Sequence, residues 1–205
     1  MNTFNMNLRI IVFIIFAVGS LSAQRGFDAS AIFGMTASQL GGDSISGYKK
    51  LGLAAGLKLS YPIAEKFDLS MDLLYAQRGS RSSLGFSNNS NDATTLHYLE
   101  LPVYLGINDW YIENKDYHRV GAFVGLTYGY LISVTTSNNI LRGQEADFKK
   151  NDISGRMGIY YSFAKSLTFR IYYTDSFVNV LESNTLFRTN ALDSFNWTFR
   201  LEYNL

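Results

Sequence analysis

The chain has 205 residues, with 18 Lys and Arg against 17 Asp and Glu, two His, two Pro and no Cys. That length suits one domain or two small ones, and a net charge of +1 supplies no basic field for nucleic acid. Without Cys there is no disulfide, thiolate metal centre, Cys nucleophile or lipid anchor on Cys, while 14 Tyr, 15 Phe and 2 Trp point to β-structure or a membrane interface and away from disorder.

The first element is a targeting segment. Arg9 precedes the apolar run Ile10-Ile11-Val12-Phe13-Ile14-Ile15-Phe16-Ala17-Val18, and Gly19-Ser20-Leu21-Ser22-Ala23 supplies small residues before a cut at Gln24. This is the order of a secretory signal, and the run is too short for a hydrocarbon core about 30 Å thick. Residues 1–23 are therefore expected to be a signal peptide, and 24–205 the exported domain. No later stretch is apolar enough for a second helical span.

Beyond it the sequence alternates with period two, the signature of strands with one apolar and one polar face. Residues 27–36 open the series. Leu51, Leu53, Ala55, Leu57, Leu59 and Tyr61 then oppose Gly52, Ala54, Gly56, Lys58 and Ser60. Phe67, Leu69, Met71, Leu73 and Tyr75 oppose Asp68, Ser70, Asp72 and Ala76. Residues 95–107 and 120–134 continue the rhythm. Ile153, Met157, Ile159, Tyr161 and Phe163 oppose Ser154, Arg156, Gly158, Tyr160 and Ser162; Leu167, Phe169, Ile171 and Tyr173 oppose Thr168, Arg170, Tyr172 and Thr174. Phe195, Trp197, Phe199, Leu201, Tyr203 and Leu205 close the chain against Asn196, Thr198, Arg200, Glu202 and Asn204.

That makes eight candidate strands. Residues 38–48, 80–93, 135–151 and 179–193 are polar and loop-like, whereas 62–66 and 164–166 are tight turns and 108–116 is intermediate. Long and short connections in alternation are the layout of an antiparallel up-and-down meander closed on itself.

Parity alone does not say which face points out. A soluble ligand-binding barrel puts its apolar face inside. Here the apolar parity is nearly free of charge, and Tyr61, Phe67, Phe163, Phe177 and Phe195 crowd strand ends, as aromatic girdles do at two membrane interfaces. Strands of about 10 to 13 residues suit a tilted span. The expected fold is all-β, an eight-stranded antiparallel up-and-down transmembrane β-barrel.

The residues also resemble a known family. Gly47-Tyr48-Lys49-Lys50-Leu51-Gly52-Leu53-Ala54-Ala55-Gly56-Leu57, Tyr61-Pro62-Ile63, Leu73-Leu74-Tyr75-Ala76-Gln77-Arg78-Gly79 and Tyr98-Leu99-Glu100-Leu101-Pro102-Val103-Tyr104-Leu105 are similar to the PorT-like outer membrane β-barrel family of Bacteroidetes, the Tyr-Leu-Glu-Leu-Pro run most specifically. The resemblance spans nearly the whole exported chain and implies an eight-stranded barrel in the cell outer membrane. The family name comes from a member linked to type IX secretion. The chain departs from the usual barrel assembly signal, a terminal aromatic, by ending Tyr203-Asn204-Leu205.

Signals for chemistry are sparse. A lipid-facing Ser–His site would call for His followed two residues later by Ser, but Leu99 follows His97 and Val120 follows His118. Two His cannot make a convincing zinc cluster. The Ser87-Asn88-Asn89-Ser90-Asn91-Asp92 stretch lacks the fixed acidic spacing of a calcium loop. Lys149-Lys150, beside Asp147 and Asp152, reads as a loop charge cluster that could meet lipopolysaccharide phosphates. No cofactor, metal or nucleic acid is implied.

On the polar parity, Lys58, Arg78, Arg156, Arg170 and Arg200 balance Asp28, Asp68, Asp72, Glu100 and Glu202. Eight strands leave room only for side chains, and buried charges need partners. These ten residues are expected to pair into a lumen charge network with no continuous water path. Asp68, Asp72 and Glu100 share a parity that could also suit acid–base work. The leading functional expectation is a non-enzymatic outer membrane scaffold or accessory subunit of an envelope or secretion complex, in contact with outer membrane lipid and lipopolysaccharide. A small porin or solute uptake protein is the alternative, and an enzyme acting on lipid A or phospholipid the third.

Overall fold

The computed structural model describes residues 26–42, 47–82, 92–137, 142–143, 145–181 and 191–205. The expected signal peptide lies outside the described residues, as do positions 87–91 of the loop considered for calcium.

Eight strands form one closed antiparallel barrel in chain order. They are β1 (Asp28–Gly41), β2 (Lys50–Ala64), β3 (Phe67–Arg81), β4 (Ala93–Ile112), β5 (Tyr117–Thr136), β6 (Asn151–Ala164), β7 (Leu167–Ser176) and β8 (Asp193–Asn204). β8 returns to pair with β1 from Ser30 opposite Asn204 to Gly41 opposite Asp193, so the sheet has no free edge. The fold is the expected one.

Which way the strands face settles the class. Phe33 is 65% exposed and Met157 63% exposed, whereas Arg78, Asp72, Glu202 and Arg200 are each 1% exposed. Apolar side chains coat the outside and charges fill the inside, the inverse of a soluble barrel and the arrangement a lipid solvent selects. At the short-turn end the coat finishes in Phe27, Tyr61, Phe67, Tyr161, Phe163 and Tyr203, and at the other end in Tyr48, Tyr128, Tyr130, Phe177 and Trp197, all exposed. Ring pairs tie both girdles together, Tyr161 to Phe163 at 5.1 Å between centroids and Tyr173 to Trp197 at 5.3 Å.

Several strands outrun the alternation that announces them. β1 continues to Gly41 and β3 to Arg81, through residues the composition assigns to loops. β4 and β5 also extend past the barrel's short-turn end as a hairpin, with Tyr111 opposite His118, closed by a 3-10 turn at Glu113–Lys115 and by Asp116 in the left-handed region at φ 53°. Outside the hydrocarbon a strand needs no apolar face, so ladder hydrogen bonds continue where the pattern stops.

The opposite mouth is capped. Phe148, Val180, Leu181 and Leu192, from the two connections flanking β6 and β7, pack with Leu40, Leu96, Tyr98 and Leu131 into a buried cluster. A bridge between Leu181 and Leu192 and a hydrogen bond from the Lys149 amide to the Val180 carbonyl, 2.9 Å, hold the connections over the lumen.

Candidate functional site

The inward parity of the strands places charged side chains along the barrel axis, beneath the apolar cap. Uppermost is Asp152 of β6, whose Oδ2 lies 2.9 Å from Nη1 of Arg78. Arg78 also holds Oε1 of Glu100, 2.7 Å from Nη2 and 2.8 Å from Nε, a two-pronged grip that its planar fork favours. The other oxygen of Glu100 is 2.7 Å from Nη2 of Arg156, whose Nη1 stands 3.7 Å from Asp72. Asp72 and Glu202 are then joined by Arg200, at 2.6 Å to each. Glu202 finally receives Nε of Arg170 at 2.7 Å and Nζ of Lys58 at 3.1 Å.

Aromatic rings insulate the chain. The Tyr104 hydroxyl donates to Asp72 at 2.9 Å and accepts from Arg200 at 3.0 Å. The Arg156 guanidinium lies 4.4 Å from the Tyr172 ring centre, a cation–π contact worth most where water is excluded. Tyr104, Phe123 and Tyr172 form a buried cluster at this level. Glycines let the strands approach closely here: a Cβ on Gly125 would collide with the Val103 carbonyl and the Tyr104 Cβ, and one on Gly158 with the Ile171 carbonyl and the Tyr172 Cβ.

Eight of the ten sequence-predicted lumen residues enter this chain of ion pairs: Lys58, Asp72, Arg78, Glu100, Arg156, Arg170, Arg200 and Glu202. Asp28 and Asp68 do not. Asp28 is exposed at the first position of β1; half-buried Asp68 accepts a hydrogen bond from Ser70 at 2.8 Å and lies against Gly106. Both lie at the short-turn rim, where water can solvate a carboxylate. Asp152, which sequence reasoning assigns to a loop cluster with Lys149 and Lys150, is instead 1% exposed inside the barrel. It shares the even parity of Ser154 and Arg156, a signal that carries the alternation one residue further back. The expected five-to-five balance thereby becomes five cations to four carboxylates.

The remaining candidates are scattered. His97 is at the long-loop end, with Nδ1 2.7 Å from the Tyr75 hydroxyl; His118 is at the other end, its ring 5.1 Å from that of Tyr111. Asp72 and Glu100 are each held between two arginines. Among the described residues no group of three or more His, Cys, Asp or Glu could hold a metal.

Below the network the lumen opens at the short-turn end into a cavity of about 260 Å³, with Lys58 and Arg170 in its lining and Asp28, Asp68 and Asp116 among its other charged residues. Sequence reasoning missed it, because alternation gives a side chain's face but not where the packing stops.

The family described as "Outer membrane protein beta-barrel domain" matches residues 19–182. The chain belongs to that family. Membership of this outer membrane barrel family and the inverted polarity together place the protein in the outer membrane. Among solved structures, Neisserial surface protein A shares 12% identity at a TM-score of 0.50, over 87% of this chain and 96% of that one. Ail, the attachment invasion locus protein of Yersinia pestis, shares 14% at a TM-score of 0.48, over 88% and 99%. OprG of Pseudomonas aeruginosa shares 11% at 0.45, over 88% and 96%. At these identities the likeness is one of fold. No curated protein sequence matches the chain significantly.

Proposed function

We propose that this outer membrane barrel is a closed, non-enzymatic scaffold or accessory subunit of an envelope or secretion complex, of the PorT-like kind that its Tyr98-Leu99-Glu100-Leu101-Pro102 run resembles. The observation that carries the reading is the filled lumen. A chain of ion pairs from Asp152 to Lys58, with an apolar cap above it, leaves the protein's outer surfaces to do its work. Long loops on one side and the β4–β5 hairpin on the other are the contact surfaces, since loops on a rigid barrel are where binding residues gather. Outer membrane lipid and lipopolysaccharide surround the apolar coat, and Lys149 and Lys150 are exposed at the loop end to meet acidic headgroups.

A solute-uptake reading draws on the cavity at the short-turn end, but Lys58 and Arg170 floor it. Crosslinking in native outer membranes, followed by mass spectrometry, tests the scaffold. The same few envelope proteins should be recovered through the loops or the hairpin in independent preparations. Crosslinks to lipid alone would overturn the reading.

A further inference from the structure

The cavity at the short-turn end has an unequal charge pattern. Its floor is over-supplied with cations: Arg170, Lys58 and Arg200 all converge on the single carboxylate of Glu202. Arg170 and Arg200 even stand directly opposite each other on β7 and β8, a like-charge pairing that is unfavourable unless an anion bridges it. The Arg170 Nε lies 2.7 Å from Glu202. The Arg170 side chain is 5% exposed. Arg170 is boxed by the rings of Phe123 at 4.9 Å, Tyr160 at 4.6 Å and Tyr104 at 5.6 Å. It lines the cavity, so a largely buried guanidinium borders the opening at the short turns.

The rim has the opposite sign. Asp28, Glu65, Asp68 and Asp116 line it, and Lys165, the one further cation of the lining, is committed to Asp116 at 3.0 Å. Asp68 is held by the Ser70 hydroxyl and makes no ion pair among the described residues. A bare anion would pass an acidic rim to reach the floor, and a bare cation would meet a basic floor. A molecule carrying both charges satisfies both.

We infer that the cavity is a binding site for a small zwitterion of the α-amino acid class, its carboxylate received by Arg170 and Lys58 and its ammonium by Asp68. The site opens at the short turns, the periplasmic side in outer membrane barrels, and is closed above by the Glu202–Arg200–Asp72 links, so it binds without passing its ligand through the barrel. Ser30, Ser60 and Thr168 offer hydroxyls around the ligand.

The test is a titration of the full-length barrel in lipid nanodiscs with glycine, acetate and methylammonium, followed by the NMR signal of the Arg170 Nε–H. Glycine should shift that signal saturably and bind at least five-fold tighter than acetate, with methylammonium without effect. Asp68→Asn, at a half-buried rim position outside the ion-pair chain, should bring glycine down to the acetate level. Arg170→Gln, which lacks that reporter and is followed by calorimetric titration instead, should bind neither glycine nor acetate. Equal affinity for glycine and acetate in the unmodified protein, an unsaturable shift, or undiminished glycine binding by Asp68→Asn would each overturn the assignment.

Discussion

Glu100 holds Arg78 with one oxygen and Arg156 with the other, 2% exposed in the middle of the lumen. Removing it leaves Arg78 with Asp152 alone and Arg156 with only Asp72 at 3.7 Å in a low dielectric, so Glu100→Ala should destabilise the barrel by about 3–5 kcal/mol. Asp28→Asn, at the solvated rim, should stay within about 0.5 kcal/mol. Urea midpoints in lipid vesicles, read by band shift on unboiled gels, check both, and comparable losses would contradict the burial difference. Gly158 makes a sterically different demand. A Cβ there would meet the Ile171 carbonyl and the Tyr172 Cβ, so Gly158→Val should cost about 1–3 kcal/mol by overpacking, on the same assay. At this scale the sequence told direction well and depth poorly. Lys58, Asp68 and Asp72 share an inward parity, yet only Lys58 and Asp72 reach the network; Asp68 lies where the barrel meets water.

The strands themselves were legible because lipid imposes a strict rule on one face. Leu57, Ile171 and Leu201 point outward from β2, β7 and β8, and Arg at any of them should cost about 2–4 kcal/mol near the bilayer midplane. Thr168→Ser, on the lumen parity of β7, should be mild. Folding yields into vesicles would show the contrast, and equal effects would mean the faces are reversed. The β4–β5 hairpin adds a pH dependence outside the membrane. The Tyr111 hydroxyl, 2.7 Å away, and Lys165, 3.0 Å away, hold the Asp116 carboxyl below its usual 3.8. A depressed carboxylate contributes its tether fully above that ordinary value and loses it as pH falls through the lowered one. A ¹³C titration should therefore find Asp116 below 3.8, moving up in Tyr111→Phe; an unchanged midpoint in the variant would assign the effect elsewhere. The loop cap was not legible at all. Phe148, Val180, Leu181 and Leu192 lie in segments with no period, and only their meeting over the mouth makes them a core.

As a whole molecule, the protein is a barrel with three internal zones: an apolar cap from the long connections, a chain of ion pairs, and a polar cavity open at the short turns. The middle zone depends on residues far apart in sequence, such as Asp72 and Arg200, which alternation turns inward and barrel closure brings within 2.6 Å. A lumen filled in this way is expected not to conduct. Recording the purified protein in a planar bilayer tests this most directly. The trace should remain at baseline with no steady conductance, in the unmodified protein and in Asp28→Asn alike; stable, ion-selective single-channel steps from the unmodified protein would contradict a lumen closed by its own charges.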